Sequence, residues 1–329
     1  MKIVNVLGVL LAVLAPFYTC QAQSIESPKS RSVPVEVESL LTPDIGGIKQ
    51  VVQIKTDDRR KPVLLFLSGG PGSSMMNGAA SFTNILKSKF TLVQWDQRNA
   101  GRTLKMNTSP NQPSVGQMEQ DTVEVIQFLR TELKRDKIYL LGSSWGNVLG
   151  FHIVKKHPEF LHAYLAVNPV ISQLASEKEL LSNLKVHFKE NAIASEELAS
   201  ISIPFKADED MFFLRKWLFY KDGKEFALGS DFKTGFLAWS KTWSPVWKEV
   251  MGIDLPKTLK KVDVPIYFFV GKRDIQTSTG ITQAYFKQVK AQKKELFLFE
   301  KSGHQIHQDE PERFQNLVIE TLGVLPSDT

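Results

Sequence analysis

Gly142-Ser143-Ser144-Trp145-Gly146 constrains this chain more than any other stretch of its 329 residues. It follows the apolar run Ile138-Tyr139-Leu140-Leu141 and precedes a segment of helical character from Asn147 to Lys156. A serine framed by glycines between a strand and a helix implies a turn too tight for bulkier neighbours. The same turn leaves the serine strained and its hydroxyl exposed at the sheet edge. Three fixed positions recur by chance in roughly one chain in ten of this length, so the inference rests on what surrounds them.

The surroundings read as alternating strands and helices. Two alternating segments around Gly46-Gly47, between about Val33 and Lys55, suggest a hairpin, and Val63-Leu64-Leu65-Phe66-Leu67 is a continuous apolar strand. A further strand is expected from Phe90 to Trp95. Val123, Ile126, Leu129 and Leu133 then fall at helical spacing within Met118 to Leu133. The alternation continues through Val167, stops, and resumes at Val264, which predicts a mostly parallel, doubly wound sheet. Between Pro169 and Pro256 helical segments dominate and four of the six tryptophans occur, Trp217, Trp239, Trp243 and Trp247. This stretch reads as an inserted helical cap, giving a core of residues 33–168 and 257–329 with a cap of 169–256. Pro245 is expected to break or kink any helix through the last three tryptophans. Those rings either pack the cap onto the core or line an apolar substrate pocket over Ser144.

Ser144 is a poor nucleophile until a base removes its proton. Val264 to Val270 reads as a buried strand ending in Gly271-Lys272-Arg273-Asp274, and Glu295 to Phe299 as the next, running into Ser302-Gly303-His304. A serine, then an acid, then a histidine, the last two after later strands, is the order that a strand-serine-helix fold of this kind requires. His304 is therefore the expected base and Asp274 the acid that orients it, with Asp254 and Asp263 as fallback acids. His307 could compete only by sharing the His304 loop. A metal site at His304 and His307 would need the H-E-x-x-H spacing and further ligands, which are missing, so neither metal nor cofactor is expected. Acyl transfer also needs donors where negative charge develops on the carbonyl oxygen. The backbone N–H of Trp145 is one candidate, and Gly70, in Ser68-Gly69-Gly70-Pro71-Gly72, is the other.

Hydrophobic residues make up 42% of the chain and charged residues 23%, ordinary for a globular protein. The formal charge is +6, with Lys and Arg scattered rather than gathered in a stripe with aromatics, which argues against nucleic acid as a partner. Lys2, an apolar run from Ile3 to Leu14 and Cys20-Gln21-Ala22 read as a signal peptide over residues 1–22. That run is too short for an integral membrane span. The expected destination is secretion or the periplasm, or a lipid tether through Cys20, although Phe17-Tyr18-Thr19 fits a lipoprotein poorly. Cleavage after Ala22 would remove the only cysteine, which excludes disulfides and a thiol nucleophile.

Gly69-Gly70-Pro71-Gly72, Asp96-Gln97-Arg98-Asn99-Ala100-Gly101-Arg102-Thr103 and Gly142-Ser143-Ser144-Trp145-Gly146-Asn147, in that order, resemble the prolyl iminopeptidase family of α/β-hydrolases. The resemblance implies the α/β-hydrolase fold, a metal-free serine mechanism, and release of an N-terminal residue, usually proline, from peptides. It places the triad on Ser144, Asp274 and His304. Ser68 stands where the family has His, and Asn99 where it has Gly, a position where Asn tolerates left-handed backbone. Asp96 and Arg98 are expected to organise the loop beside the oxyanion site. Family members hold the substrate amine with cap glutamates in a W-x-x-W-E-like element. The nearest text here runs from Trp243 to Glu249, making Glu249 and Trp243 the candidate substrate-binding residues. A carboxylic ester hydrolase on the same scaffold is the alternative, since the cap decides which substrate enters.

Overall fold

The computed structural model describes residues 37–107 and 112–323. The expected signal peptide, residues 1–22 with Cys20, lies outside them, as do residues 33–36. Among the described residues eight strands form one sheet: β1 (Val37–Leu41), β2 (Val51–Thr56), β3 (Val63–Leu67), β4 (Thr91–Asp96), β5 (Ile138–Ser143), β6 (Leu161–Val167), β7 (Ile266–Gly271) and β8 (Lys294–Phe299). Their spatial order is β1-β2-β4-β3-β5-β6-β7-β8. The first two pairings are antiparallel and every later one is parallel. The two glycines expected to turn a hairpin join Asp44–Ile45 to Ile48–Lys49, a short ladder between β1 and β2.

Continuous apolar strands follow from burial on both faces. Along β3, Val63, Leu65 and Leu67 enter one hydrophobic layer and Leu64 and Phe66 the other. The first layer is closed by α1 (Val115–Glu132) and α2 (Gly146–Lys156), through residues such as Ile126, Leu129, Leu149 and Ile153. The second is closed by Phe82, Phe90 and, near the C-terminus, Phe314 and Val318. The strands expected at 63–67, 90–95, 264–270 and 295–299 and the helices expected at 118–133 and 147–156 are present within about three residues of those bounds, while the expected start of the hairpin at Val33 lies outside the described residues. The sheet therefore presents the carboxyl ends of β5, β6, β7 and β8 side by side, the edge where ligands bind in open α/β sheets.

After β6 the chain leaves the sheet for four helices, α3 (Gln173–His187), α4 (Ala192–Ser200), α5 (Asp208–Lys221) and α6 (Ser230–Val250). It returns through a neck in which Ser172 bridges Asp254 and the Leu255 amide donates to the Ile171 carbonyl at 2.9 Å. Leu180, Leu184, Leu198, Leu214 and Trp217 form this insert's own core. Inside it Glu177 and Arg215, both buried, are ion-paired. Pro245 does not end a helix: α6 runs through it. The proline removes one backbone donor, but the residues around it, Ser240, Trp243, Val246 and Trp247, are buried, and packing outweighs one lost hydrogen bond. Among the described residues no helix is long and apolar enough to cross a membrane.

Candidate active site

The turn between β5 and α2 holds Ser144 at φ +52°, a left-handed conformation that a non-glycine residue adopts at a cost of order 1–3 kcal/mol. Its surroundings fix it there. The Ser144 amide donates to the Val167 carbonyl at 3.0 Å, and the Asn147 side chain donates to the carbonyls of Ser144 and Val167 at 3.1 and 2.9 Å. Tyr164, fully buried, donates its hydroxyl proton to Asn147 Oδ1 at 2.6 Å. A side chain at Gly146 would collide with the Leu67 carbonyl oxygen, so the helix approaches β3 only because that position is glycine.

Asp274 follows β7 and His304 follows β8, and the structure brings both to Ser144. Ser144 Oγ lies 2.9 Å from His304 Nε2, and His304 Nδ1 lies 2.8 Å from Asp274 Oδ2. Asp274 Oδ1 accepts from the amides of Gln276 and Thr277 at 2.8 and 3.1 Å, and Oδ2 also accepts from Thr277 Oγ1 at 2.7 Å. Burial alone would push this carboxyl up. The charge and hydrogen bond of His304 and the two bonds from Thr277 outweigh it and hold the group below the usual carboxylate range. A carboxylate at Nδ1 favours the tautomer whose Nε2 is free to accept the serine proton.

Gly69 stands against the serine, since a Cβ there would meet Ser144 Cβ and the Ser143 carbonyl oxygen, each at 3.3 Å. Among the described residues neither the Gly70 nor the Trp145 amide hydrogen-bonds to a backbone acceptor. Gln97 joins this loop to the turn: its Nε2 donates to Ser68 at 3.2 Å and its Oε1 accepts from the Trp145 indole at 3.1 Å. Asn99 sits at φ +57°, the backbone for which the family's glycine would be suited.

Two expected organisers act elsewhere. Asp96 Oδ2 accepts from the Arg102 amide at 2.7 Å, capping Gly101–Met106, and buried Arg98 pairs with buried Asp121 at 3.0 Å while donating to the Gly46 carbonyl. Arg98 ties the hairpin and α1 to the end of β4, Asp96 holds the start of Gly101–Met106, and between them Gln97 reaches the glycine loop.

Helix α6 contacts the glycine loop. The Trp239 indole donates to the Pro71 carbonyl at 2.9 Å, and Trp243 lies so close to Gly72 that a Cβ there would meet its indole nitrogen at 2.5 Å. Trp243 thus adjoins the glycine loop, but Glu249 does not come to the triad. On α6 the buried stripe is Trp243, Val246, Trp247 and Val250, and Glu249 falls between its members facing outward. Its carboxylate accepts from the Val115 amide at 3.4 Å, beside a separate groove. A cleft of about 290 Å³ is lined by Asp274 and His304 and bordered by Asp222 and Lys224 just after α5.

Asn168 and Thr277 were not singled out by the sequence. Asn168, buried immediately after β6, donates to the His304 carbonyl at 2.7 Å and accepts from the Gly271 amide at 2.8 Å, while its own carbonyl oxygen lies 3.2 Å from Thr277 Oγ1. One side chain thus joins the acid loop to the histidine loop. A polar residue directly after the apolar strand end Leu165-Ala166-Val167, at the ligand-binding edge, was the available signal.

His307 is buried against Phe82, with ring centres 4.8 Å apart, and does not share the role of His304. Burial, then the charge of His304, lowers it to about 4. An unfolded histidine titrates near 6.5. The unfolded chain therefore binds the extra proton first as pH falls, and stability present above about 6.5 declines until about 4. From that shift the loss is about 3 kcal/mol. Urea unfolding at pH 7 and pH 4.5 should show it, and His307→Leu should flatten the difference.

A glycine-framed serine on a strand-turn-helix, with acid and histidine loops gathered at one edge of an eight-stranded sheet, defines an α/β-hydrolase fold, and the family model described as alpha/beta hydrolase fold matches residues 62–200. The chain is an α/β-hydrolase by fold. It is similar to a protein of Bacillus subtilis named probable aminopeptidase YbaC, 27% identical over 319 residues, which cover 88% of this chain and 96% of the relative. A proline iminopeptidase of Saccharolobus solfataricus is 23% identical over 270 residues, covering 79% and 84%. The crystal structure of a proline iminopeptidase from Mycobacterium smegmatis matches with a TM-score of 0.63 at 18% identity, over 87% of this chain and 98% of that one.

Proposed function

We propose that the protein is a serine aminopeptidase that releases an N-terminal proline or other small residue from short peptides through an acyl-enzyme. The observation that carries this reading is the unbroken chain from Ser144 Oγ through His304 to Asp274, at 2.9 and 2.8 Å, on a turn pressed against a glycine loop. His304 takes the serine proton as Oγ attacks the carbonyl carbon, and the amides of Gly70 and Trp145 hold the resulting oxyanion. His304 then returns the proton to the leaving amine, and water, activated by the same ring, releases the acid. The relatives' names support the peptidase choice over other acyl transfers. The indoles of Trp239 and Trp243 on the glycine loop would flank the acyl group.

The outward position of Glu249 favours a second reading, a carboxylic ester hydrolase, because it removes the expected amine anchor. Proline naphthylamide assayed beside nitrophenyl acetate and butyrate separates the two. The aminopeptidase reading expects proline release, and ester turnover without it would leave the esterase.

In this mechanism Asn168 acts through His304. Asn168→Asp keeps the size, the acceptor for Gly271 and tolerance of φ +40° but turns the donor to the His304 carbonyl into a second acceptor. A roughly tenfold or larger fall in kcat with little change in KM is expected, read by steady-state kinetics. An unchanged kcat would mean that the tether does not hold the histidine loop. If residues 1–22 are a signal peptide, the mature enzyme works outside the cytoplasm, and its intact mass from the native host would give the cleavage site.

A further inference from the structure

The cleft that reaches His304 and Asp274 is unevenly charged. Four cations line it: Lys221 at the end of α5, Lys224 in the turn after it, Arg273 directly before Asp274, and Lys301 three residues before His304. Against them stand Asp222, Asp309 and the carboxylate of Asp274, which the imidazole already engages. Asp309 is partly committed too, since its Oδ2 accepts from the Gly303 amide at 3.1 Å.

Among the described residues none of these four cations has a carboxylate within ion-pair distance. Nearby lysines do, Lys272 with Glu300 at 2.6 Å and Lys216 with Glu197 at 2.7 Å. Two of the four are anchored by their backbone. The Arg273 amide donates to the Ser302 carbonyl at 3.0 Å, and the Lys301 amide to Glu310 Oε2 at 3.2 Å. Three segments distant in sequence thus bring positive charge without carboxylate partners to one cleft, where Lys224 also lies over the Phe219 ring at 5.2 Å. Like charges grouped this way repel one another and oppose folding.

The position of the cleft indicates which part of a substrate meets it. In acyl transfer the histidine protonates the departing group, so that group lies over the imidazole and the remainder of the substrate extends into the space the imidazole borders. We propose that the cleft is a carboxylate subsite for the leaving portion of the substrate, and that the enzyme prefers di- and tripeptides whose free C-terminal carboxylate lies one or two residues beyond the scissile bond. An extended residue spans at most about 3.5 Å, so such a carboxylate falls within reach of the long side chains at the rim. Arg273 offers a planar fork suited to it and the lysines supply compact charge. A peptide amide, or a long peptide whose terminus lies far outside, forgoes this contact.

The inference rests on the aminopeptidase reading, and one panel distinguishes their failures. Prolyl-alanine and prolyl-alaninamide are compared on the full chain and on Arg273→Ala, Lys301→Ala and the double variant. The expected result is a kcat/KM about tenfold higher for the free acid, most of it in KM, with the ratio falling toward one in the double variant. A ratio measured within each variant is insensitive to partial loss of folded enzyme. Equal rates on acid and amide in the parent overturn the subsite, as does a preference that survives the double substitution. If neither peptide is cleaved while ester hydrolysis depends on Ser144, the aminopeptidase reading falls. The cleft is then judged by the same two criteria on 4-acetoxybenzoate against 4-acetoxybenzamide, whose leaving groups differ by one carboxylate.

Discussion

Replacing Ser144 with alanine is expected to lower kcat by roughly 10⁵-fold or more while leaving the fold intact. In the proposed mechanism the hydroxyl supplies the bond-forming atom, and among the described residues no other side chain hydrogen-bonds to His304 Nε2. Among the described residues its only side-chain hydrogen bond is the one to His304, so the turn loses little else. The left-handed backbone at position 144 is held by Asn147 and by the Ser144 amide's bond to Val167, neither of which uses the serine side chain. Thermal unfolding should therefore move little while turnover collapses to what binding and the oxyanion donors provide. A variant within a few-fold of the parent would remove Ser144 from the chemistry.

Asp274→Asn should cost about 10³- to 10⁴-fold in kcat/KM, for a reason particular to this site. The amides of Gln276 and Thr277 both donate to Oδ1, so an asparagine is driven to place its oxygen there. Its NH₂ then faces His304 Nδ1, which can accept from it only as the tautomer that carries its proton on Nε2. That tautomer cannot take a proton from Ser144. The loss thus comes from mis-set tautomer rather than from missing volume, and a rate near that of the parent would move the acid role to another carboxylate.

What could be read from the sequence was what local pattern encodes. A strand buried on both faces needs an apolar run, and a tight strand-to-helix turn needs small residues. These signals placed β3, β5, β7 and β8, and with them the loops that carry Gly70, Ser144, Asp274 and His304. Contacts set by helical phase or long-range pairing were less legible. Glu249 lies only two residues past Trp247, but on a helix the step between them turns it to the outer surface. Pro245 signalled a break or kink, and the burial of its neighbours keeps the helix unbroken. Arg98 lies one residue from Gln97, yet it reaches back to Asp121 on α1 while Gln97 reaches the glycine loop. Asn168 joins the loops after β7 and β8 from the end of β6, a relation that only the strand order creates. The cationic cleft draws on α5 and both of those loops, so scattered surface charge was the natural reading of its residues in the sequence.

The most direct test of the central claim is covalent capture of the nucleophile. A fluorophosphonate probe loses fluoride as phosphorus bonds to an activated serine oxygen, and peptide mass mapping then locates the adduct. The account predicts a single adduct, on Ser144, that is abolished by Ser144→Ala and strongly slowed by His304→Ala. An adduct on another residue, or continued hydrolysis with Ser144 unlabelled, would contradict it.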